Sequence, residues 1–149
     1  MLKFTGAERR LEYKGTFNNA RVYDDYGHHP TEIEAVVQGL KNKKYNESWV
    51  IFEPHTYSRF IQHLEEFGKV LSEFDHIIII DIYAAREKNE HNISEEDLIK
   101  EINKYGKDAI HISDYEEIKK YLGENIKSDD IILTLGAGYV TKIASLLTK

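Results

Sequence analysis

Five of the seven side chains in DDYGHHP, residues 24–30, can hold or move a proton: Asp24, Asp25, Tyr26, His28 and His29. Neighbouring residues on a strand point to opposite faces, so only alternate members can share one pocket. Asp25 suits ribose hydroxyls or a cation, and His28 can donate to a carboxylate. A metal site from Asp25, His28 and His55 is conceivable, but that spacing matches no strong ligand motif, and none is expected. The bland reading is a polar turn that caps a helix. A second cluster, PHTYSR at residues 54–59, leads into a helix. Free N–H groups and the helix dipole attract an anion there, and Arg59 adds a fork-shaped donor. Thr56 or Ser58 also serves simply as a cap.

Two further clusters carry weaker signals. Gly136-Ala137-Gly138 resembles part of a dinucleotide fingerprint but lacks the third glycine, with Thr141 in its place. It implies close backbone approach, to a ligand or to a neighbouring element. In YAARE, residues 83–87, Arg86 and Glu87 read as a surface ion pair worth under about 1 kcal/mol. No G-x-x-x-x-G-K-[ST] occurs, so any triphosphate must be held largely by something else.

Strands and helices must bring these clusters together. Residues 10–14 and 20–23 read as a hairpin around Asn18-Asn19. Ile33, Val36, Val37 and Leu40 mark one face of a helix over 31–43, begun by Pro30 or Thr31. SWVIFE at 48–53 reads as a strand, and Phe60, Leu64, Phe67, Leu71 and Phe74 as one long helix over 57–74. Four consecutive isoleucines within 75–83 suit a strand covered on both faces. A helix from Ser94, capped by Asp97, a strand at 109–112, a helix over 115–126, a strand at 131–135 and a helix from Val140 follow. The alternation predicts an α/β, three-layer, Rossmann-like domain with a mostly parallel sheet of about six strands and an N-terminal hairpin. Ligands in such sheets bind beyond the carboxyl ends of the strands, where all four clusters fall.

The chain has 149 residues, 41% hydrophobic and 31% charged, which suits one soluble domain. Its net charge of −6 argues against general nucleic-acid binding. No apolar run nears the roughly 20 residues that span a bilayer, and MLKFTGAERR lacks a secretory apolar stretch. Without cysteine there is neither disulfide nor thiolate metal site, so a cytoplasmic protein with no membrane partner is expected. All five arginines (Arg9, Arg10, Arg21, Arg59 and Arg86) lie in the first 90 residues, which hints at an anion site built there.

FTGAERRLE, DDYGHHPTEI, FEPHTYSR, DIYAARE and LGAGYV stand in an order that resembles the C-terminal domain of the Mur ligases, over essentially the whole chain. DDYGHHP with PHTYSR is most similar to the alanine-adding branch. The resemblance implies a three-domain enzyme of peptidoglycan precursor synthesis, whose UDP-binding N-terminal domain and central ATPase domain lie outside this chain. It implies ATP and Mg²⁺, held mainly by that central domain, and an acyl phosphate through which L-alanine is joined to UDP-N-acetylmuramate. The domain closes over the central one and is inactive alone.

Carried over by motif, Arg10 would reach the γ-phosphate as the catalytic group and Asp25 the ATP ribose. Tyr26, His28, His55 and Arg59 would line the amino-acid pocket, and Gly136 and Gly138 would approach the acceptor substrate. All of them position or stabilise charge, and none is a nucleophile. Gly27 stands where Ala is more usual, Glu53 where Gln is common, and Tyr139 has no assigned role. Two other readings stay open: a sister ligase that adds a recycled peptide to UDP-N-acetylmuramate, and a stand-alone Rossmann-like module that senses a nucleotide or amino acid.

Overall fold

A computed structural model describes residues 11–90 and 92–149. The hairpin is β1 (Glu12–Phe17) and β2 (Ala20–Asp25), joined by Asn18 and Asn19 at φ 49° and 68°. Two successive left-handed residues make the primed turn that matches strand twist, and Asn tolerates that conformation best among residues with a Cβ. Then follow α1 (Pro30–Leu40), β3 (Ser48–Phe52), α2 (Tyr57–Gln62), α3 (Leu64–Leu71), β4 (His76–Ile79) and α4 (Glu95–Asn103). The chain closes with β5 (Ala109–His111), α5 (Tyr115–Asn125), β6 (Ile131–Leu135) and α6 (Thr141–Leu147).

The sheet runs β1-β2-β6-β3-β4-β5, antiparallel at β1 and parallel elsewhere. Its strands alternate between two apolar cores. Val50, Phe52, Ile77, Ile79 and Leu133 pack with Val36, Leu71 and Leu98 of α1, α3 and α4. Trp49, Ile51, Ile78 and Ile132 pack with Leu122 and Ile143 of α5 and α6. Both faces are covered, so the strands are apolar throughout, as the isoleucine run predicts. Among the described residues no helix is long and apolar enough to cross a membrane.

The expected architecture holds, with three local differences. The helix expected over 57–74 is broken at His63, which leaves helical geometry at φ −119°, ψ 22°. His63 bonds Glu66 Oε1 through Nδ1 at 2.9 Å and stacks edge-on against His29 at 4.7 Å, so its imidazole is held at the break. The apolar stripe nevertheless continues, with Phe60, Phe67, Leu71 and Phe74 all buried. Helix α1 stops at Leu40 instead of 43, since Lys41, Asn42 and Lys43 offer the core no apolar side chain. Strand β4 ends at Ile79, where pairing to both β3 and β5 ends.

Candidate functional site

The carboxyl ends of β2, β3, β4 and β6 deliver the four polar loops to one rim. Asp25 ends β2 fully buried; its Oδ1 accepts the Gly27 N–H at 2.7 Å and its Oδ2 the Leu11 N–H at 2.9 Å. That carboxylate therefore shapes the turn that presents Tyr26 and His28. His29 caps α1: its Nδ1 accepts the Thr31 N–H at 3.1 Å, while Glu32 Oε1 accepts the His29 N–H at 3.1 Å. Only one imidazole of the pair thus faces the rim. Tyr26, exposed, stands edge-on to His28 at 5.6 Å, and His28 lies 5.2 Å from His55, ring centre to ring centre.

His55 reaches this place because the loops after β3 and β4 are zipped together. It forms a parallel bridge with Tyr83, the Thr56 N–H donates to the Tyr83 carbonyl at 2.7 Å, and the Tyr83 N–H donates to the Pro54 carbonyl at 2.8 Å. Thr56 sits at φ 62°, ψ 144°, a conformation a β-branched residue adopts only where its surroundings impose it. Local strain at the hinge between β3 and α2 is the mark of an imposed site geometry. The His55 ring packs edge-on against Tyr83 at 5.1 Å, and its Nδ1 is buried without a hydrogen-bond partner among the described residues.

Burial lowers the His55 pKa below 6.5; His28 and Arg59 nearby lower it further, against an opposing pull from Glu87. The fold thus favours the uncharged ring. The unfolded chain binds the proton more readily, so this contribution to stability is full above pH 6.5 and lost as pH falls through the lowered folded value. On acidification below pH 6.5 the unfolding temperature of the native chain is expected to drop more steeply than that of a His55→Gln variant. Equal slopes in the two proteins would show that His55 takes no part in the acid response.

Arg59 lies on α2, close enough to His55 to bias its charge. The free helix N-terminus expected beside it is occupied. Glu87 accepts the Ser58 N–H at 2.9 Å and the Ser58 hydroxyl at 2.6 Å. The expected Arg86–Glu87 ion pair is therefore replaced by a carboxylate cap from the β4–α4 loop. Arg86 itself, at φ 76°, lines a cavity of about 590 Å³ with Tyr83, Asp81, Ser113, Tyr115 and Tyr139. Arg21, at the start of β2, donates to the Lys44 carbonyl at the opposite end of the sheet.

Glu53 is the residue that sequence reasoning undervalued. It is 2% exposed, and its two oxygens accept the Gly138 and Tyr139 N–H groups at 2.9 and 3.2 Å. The carboxylate clamps the loop after β6, a task a glutamine, with one acceptor oxygen, does only in part. The Gly136-Ala137-Gly138 turn makes its close approach to this scaffold. A Cβ on Gly138 would fall 2.2 Å from the Tyr83 ring and 2.6 Å from Glu53 Oε1, and Gly136 has φ +153°. Tyr83 stacks on Tyr139, planes 7° apart, so four loops share one set of contacts.

Arg10 lies outside the described residues. Asp25, Tyr26, His28, His55, Arg59, Gly136 and Gly138 all fall on the carboxyl rim. Asp25, His28 and His55 do not form a metal-binding group. Among the described residues the three groups close enough to ligate one ion are Asp81, Glu95 and His111, which sequence spacing could not reveal.

The chain matches the family model described as Mur ligase, glutamate ligase domain, over residues 9–138. It is 43% identical over 146 residues to UDP-N-acetylmuramate–L-alanine ligase of Acetivibrio thermocellus, covering 98% of this chain and 31% of that protein. It is 44% identical over 147 residues to the ligase of the same name from Caldicellulosiruptor saccharolyticus, covering 99% of this chain and 32% of the relative. The chain thus spans about a third of the length of these relatives. Among solved structures it is similar to the UDP-N-acetylmuramate–alanine ligase of Thermotoga maritima, at TM-score 0.71 and 24% identity, over 93% of this chain and 29% of that one. A domain from a putative UDP-N-acetylmuramate:L-alanyl-γ-D-glutamyl-diaminopimelate ligase of Haemophilus ducreyi aligns at TM-score 0.66 and 28% identity, over 93% and 96%.

Proposed function

The chain belongs to the Mur ligase family, and from that premise we propose that it is the C-terminal domain of a ligase joining L-alanine to UDP-N-acetylmuramate in peptidoglycan precursor synthesis. The observation that carries this reading is the convergence of His28, His55 and Arg59, from two loops far apart in sequence, on one rim. The curated relatives that match over nearly the whole chain at 43–44% identity are alanine-adding ligases, which favours alanine as the amine.

When bound, ATP supplies the phosphoryl group that activates the muramoyl carboxylate. The residues of this chain would hold the amine that attacks the activated carboxyl carbon, with phosphate as the leaving group. Arg59, permanently charged, pairs with the alanine carboxylate, and the His55 and His28 imidazoles bond the polar groups around it. Tyr26 closes the outer side, and the Glu53-clamped turn at Gly136 and Gly138 meets the acceptor substrate. Asp25, buried and held at both oxygens by backbone N–H groups, shapes the turn beside the ATP ribose, and Arg10 reaches the γ-phosphate. Mg²⁺ suits a different surface, since Asp24 is engaged by the Thr134 and Thr141 hydroxyls at 2.7 and 3.0 Å and Asp25 by backbone N–H groups. The phosphate cradle and its metal then belong to a central domain beyond this chain, over which this domain closes as a lid.

Assay of the complete ligase with UDP-N-acetylmuramate and either L-alanine or the free tripeptide separates the two branches. Turnover is expected with alanine alone; preference for the tripeptide would transfer the protein to the sister activity. The 149-residue chain by itself is expected to form no amide from UDP-N-acetylmuramate, alanine and Mg-ATP. Turnover by the isolated chain would contradict the division of labour between domains.

A further inference from the structure

Three donor groups from three elements meet under the β4–α4 loop. Asp81 follows β4, Glu95 opens α4 and His111 ends β5, and one ligand atom of each lies within 4.8 Å of the others. Parallel pairing of β4 with β5, Ile79 opposite His111, sets the two strand ends side by side. His111 Nε2 is 2.7 Å from Asp81 Oδ1. Both carboxylates are oriented by groups outside the trio: the Ile82 N–H donates to Glu95 Oε2 at 2.9 Å, and the Ser113 hydroxyl to Asp81 Oδ1 at 2.6 Å. Oriented carboxylates converging with an imidazole nitrogen form a donor set for a borderline divalent metal, and such outer hydrogen bonds are what hold ligands in place.

The other histidine–carboxylate contacts make a useful contrast. Among the described residues His28 with Glu32, His63 with Glu66 and His76 with Glu47 each bring a single carboxylate, and none is joined by a third donor. Asp81 also lines the cavity of about 590 Å³, which gives water and an ion a route to it. That lining carries a second carboxylate, Glu53, against one guanidinium, Arg86.

We propose that Asp81, Glu95 and His111 bind a divalent transition-metal ion of the zinc class, with water from the cavity completing its shell. The neutral imidazole gives the Nε2 lone pair, its proton residing on Nδ1, and the Asp81–His111 hydrogen bond is replaced by two bonds to the ion. The ion ties the β4 exit, the start of α4 and the end of β5 together. It thereby stiffens the loop that carries Tyr83 and Arg86. None of its ligands belongs to the amino-acid pocket, so the site stands or falls apart from the ligase reading.

The test uses the whole 149-residue chain, stripped with chelator and titrated with Zn²⁺ by calorimetry and with Co²⁺ by visible absorption. One saturable site of micromolar affinity, a cobalt spectrum of nitrogen and oxygen donors and a raised unfolding temperature are expected. His111→Ala and Glu95→Gln, checked for fold by circular dichroism, should each weaken binding more than about 100-fold, beyond the loss typical of an outer-shell change. His76→Ala should leave it unchanged. Absence of saturable binding up to millimolar Zn²⁺, or equal binding by His111→Ala, would overturn the proposal.

Discussion

Replacing Asp130 by alanine is expected to destabilise the domain by about 3–5 kcal/mol, more than any single change on the rim. Asp130 is fully buried at the amino end of the sheet and accepts four hydrogen bonds. Oδ1 takes the Asn46 side-chain amide at 2.8 Å and the Glu47 N–H at 3.1 Å; Oδ2 takes the Trp49 indole N–H at 3.0 Å and the Lys127 N–H at 2.9 Å. Alanine leaves four donors facing a void, and each unpaired buried donor costs about 1–3 kcal/mol before relaxation. For a chain of this size the loss lowers the unfolding temperature by roughly 10 °C or more. Asp130→Asn keeps the volume but turns an NH₂ toward donors, so an intermediate loss is expected. Thermal and denaturant unfolding measure both; an alanine variant within about 1 kcal/mol of the parent would show that the donors find water instead.

Asp130 and the rim lie at opposite ends of the same strands, and the sequence speaks unequally about the two. Periodicity is local, so the hairpin, the helix faces and the isoleucine strand could be read directly, and strand–helix alternation then placed DDYGHHP, PHTYSR and GAG on one edge. Contacts between loops are not local. Nothing in FEPHTYSR says that Glu53 reaches across to the Gly138 and Tyr139 N–H groups, or that Ser58 is capped by Glu87 from 29 residues away. The break at His63 has no proline or glycine to announce it, since it arises from side-chain contacts with Glu66 and His29. Asp81, Glu95 and His111 were likewise illegible, because only the pairing of β4 with β5 brings them together. Motif resemblance supplied the identities of the rim residues, and packing supplied their relations.

Those relations make Arg59 the residue whose loss should be felt most in catalysis. With Glu87 occupying the start of α2 and the His55 pKa lowered, the guanidinium is the permanent positive charge that the proposed amino-acid pocket offers. In the complete ligase, Arg59→Ala is expected to raise the KM for alanine about 100-fold, the equivalent of roughly 3 kcal/mol for a lost charge-assisted, two-pronged contact. The KM for ATP should move little if, as proposed, the nucleotide is held by other residues and by the central domain. Arg59→Lys should recover only part of the loss, since an ammonium is a point charge without the planar fork. The pH dependence gives a second readout: the guanidinium itself does not titrate near neutrality, but its loss removes one of the influences that lower the His55 pKa, so His55 in the alanine variant should take up its proton at a higher pH than in the parent. Steady-state kinetics with alanine as the varied substrate decide the matter, and an unchanged KM would remove Arg59 from the pocket.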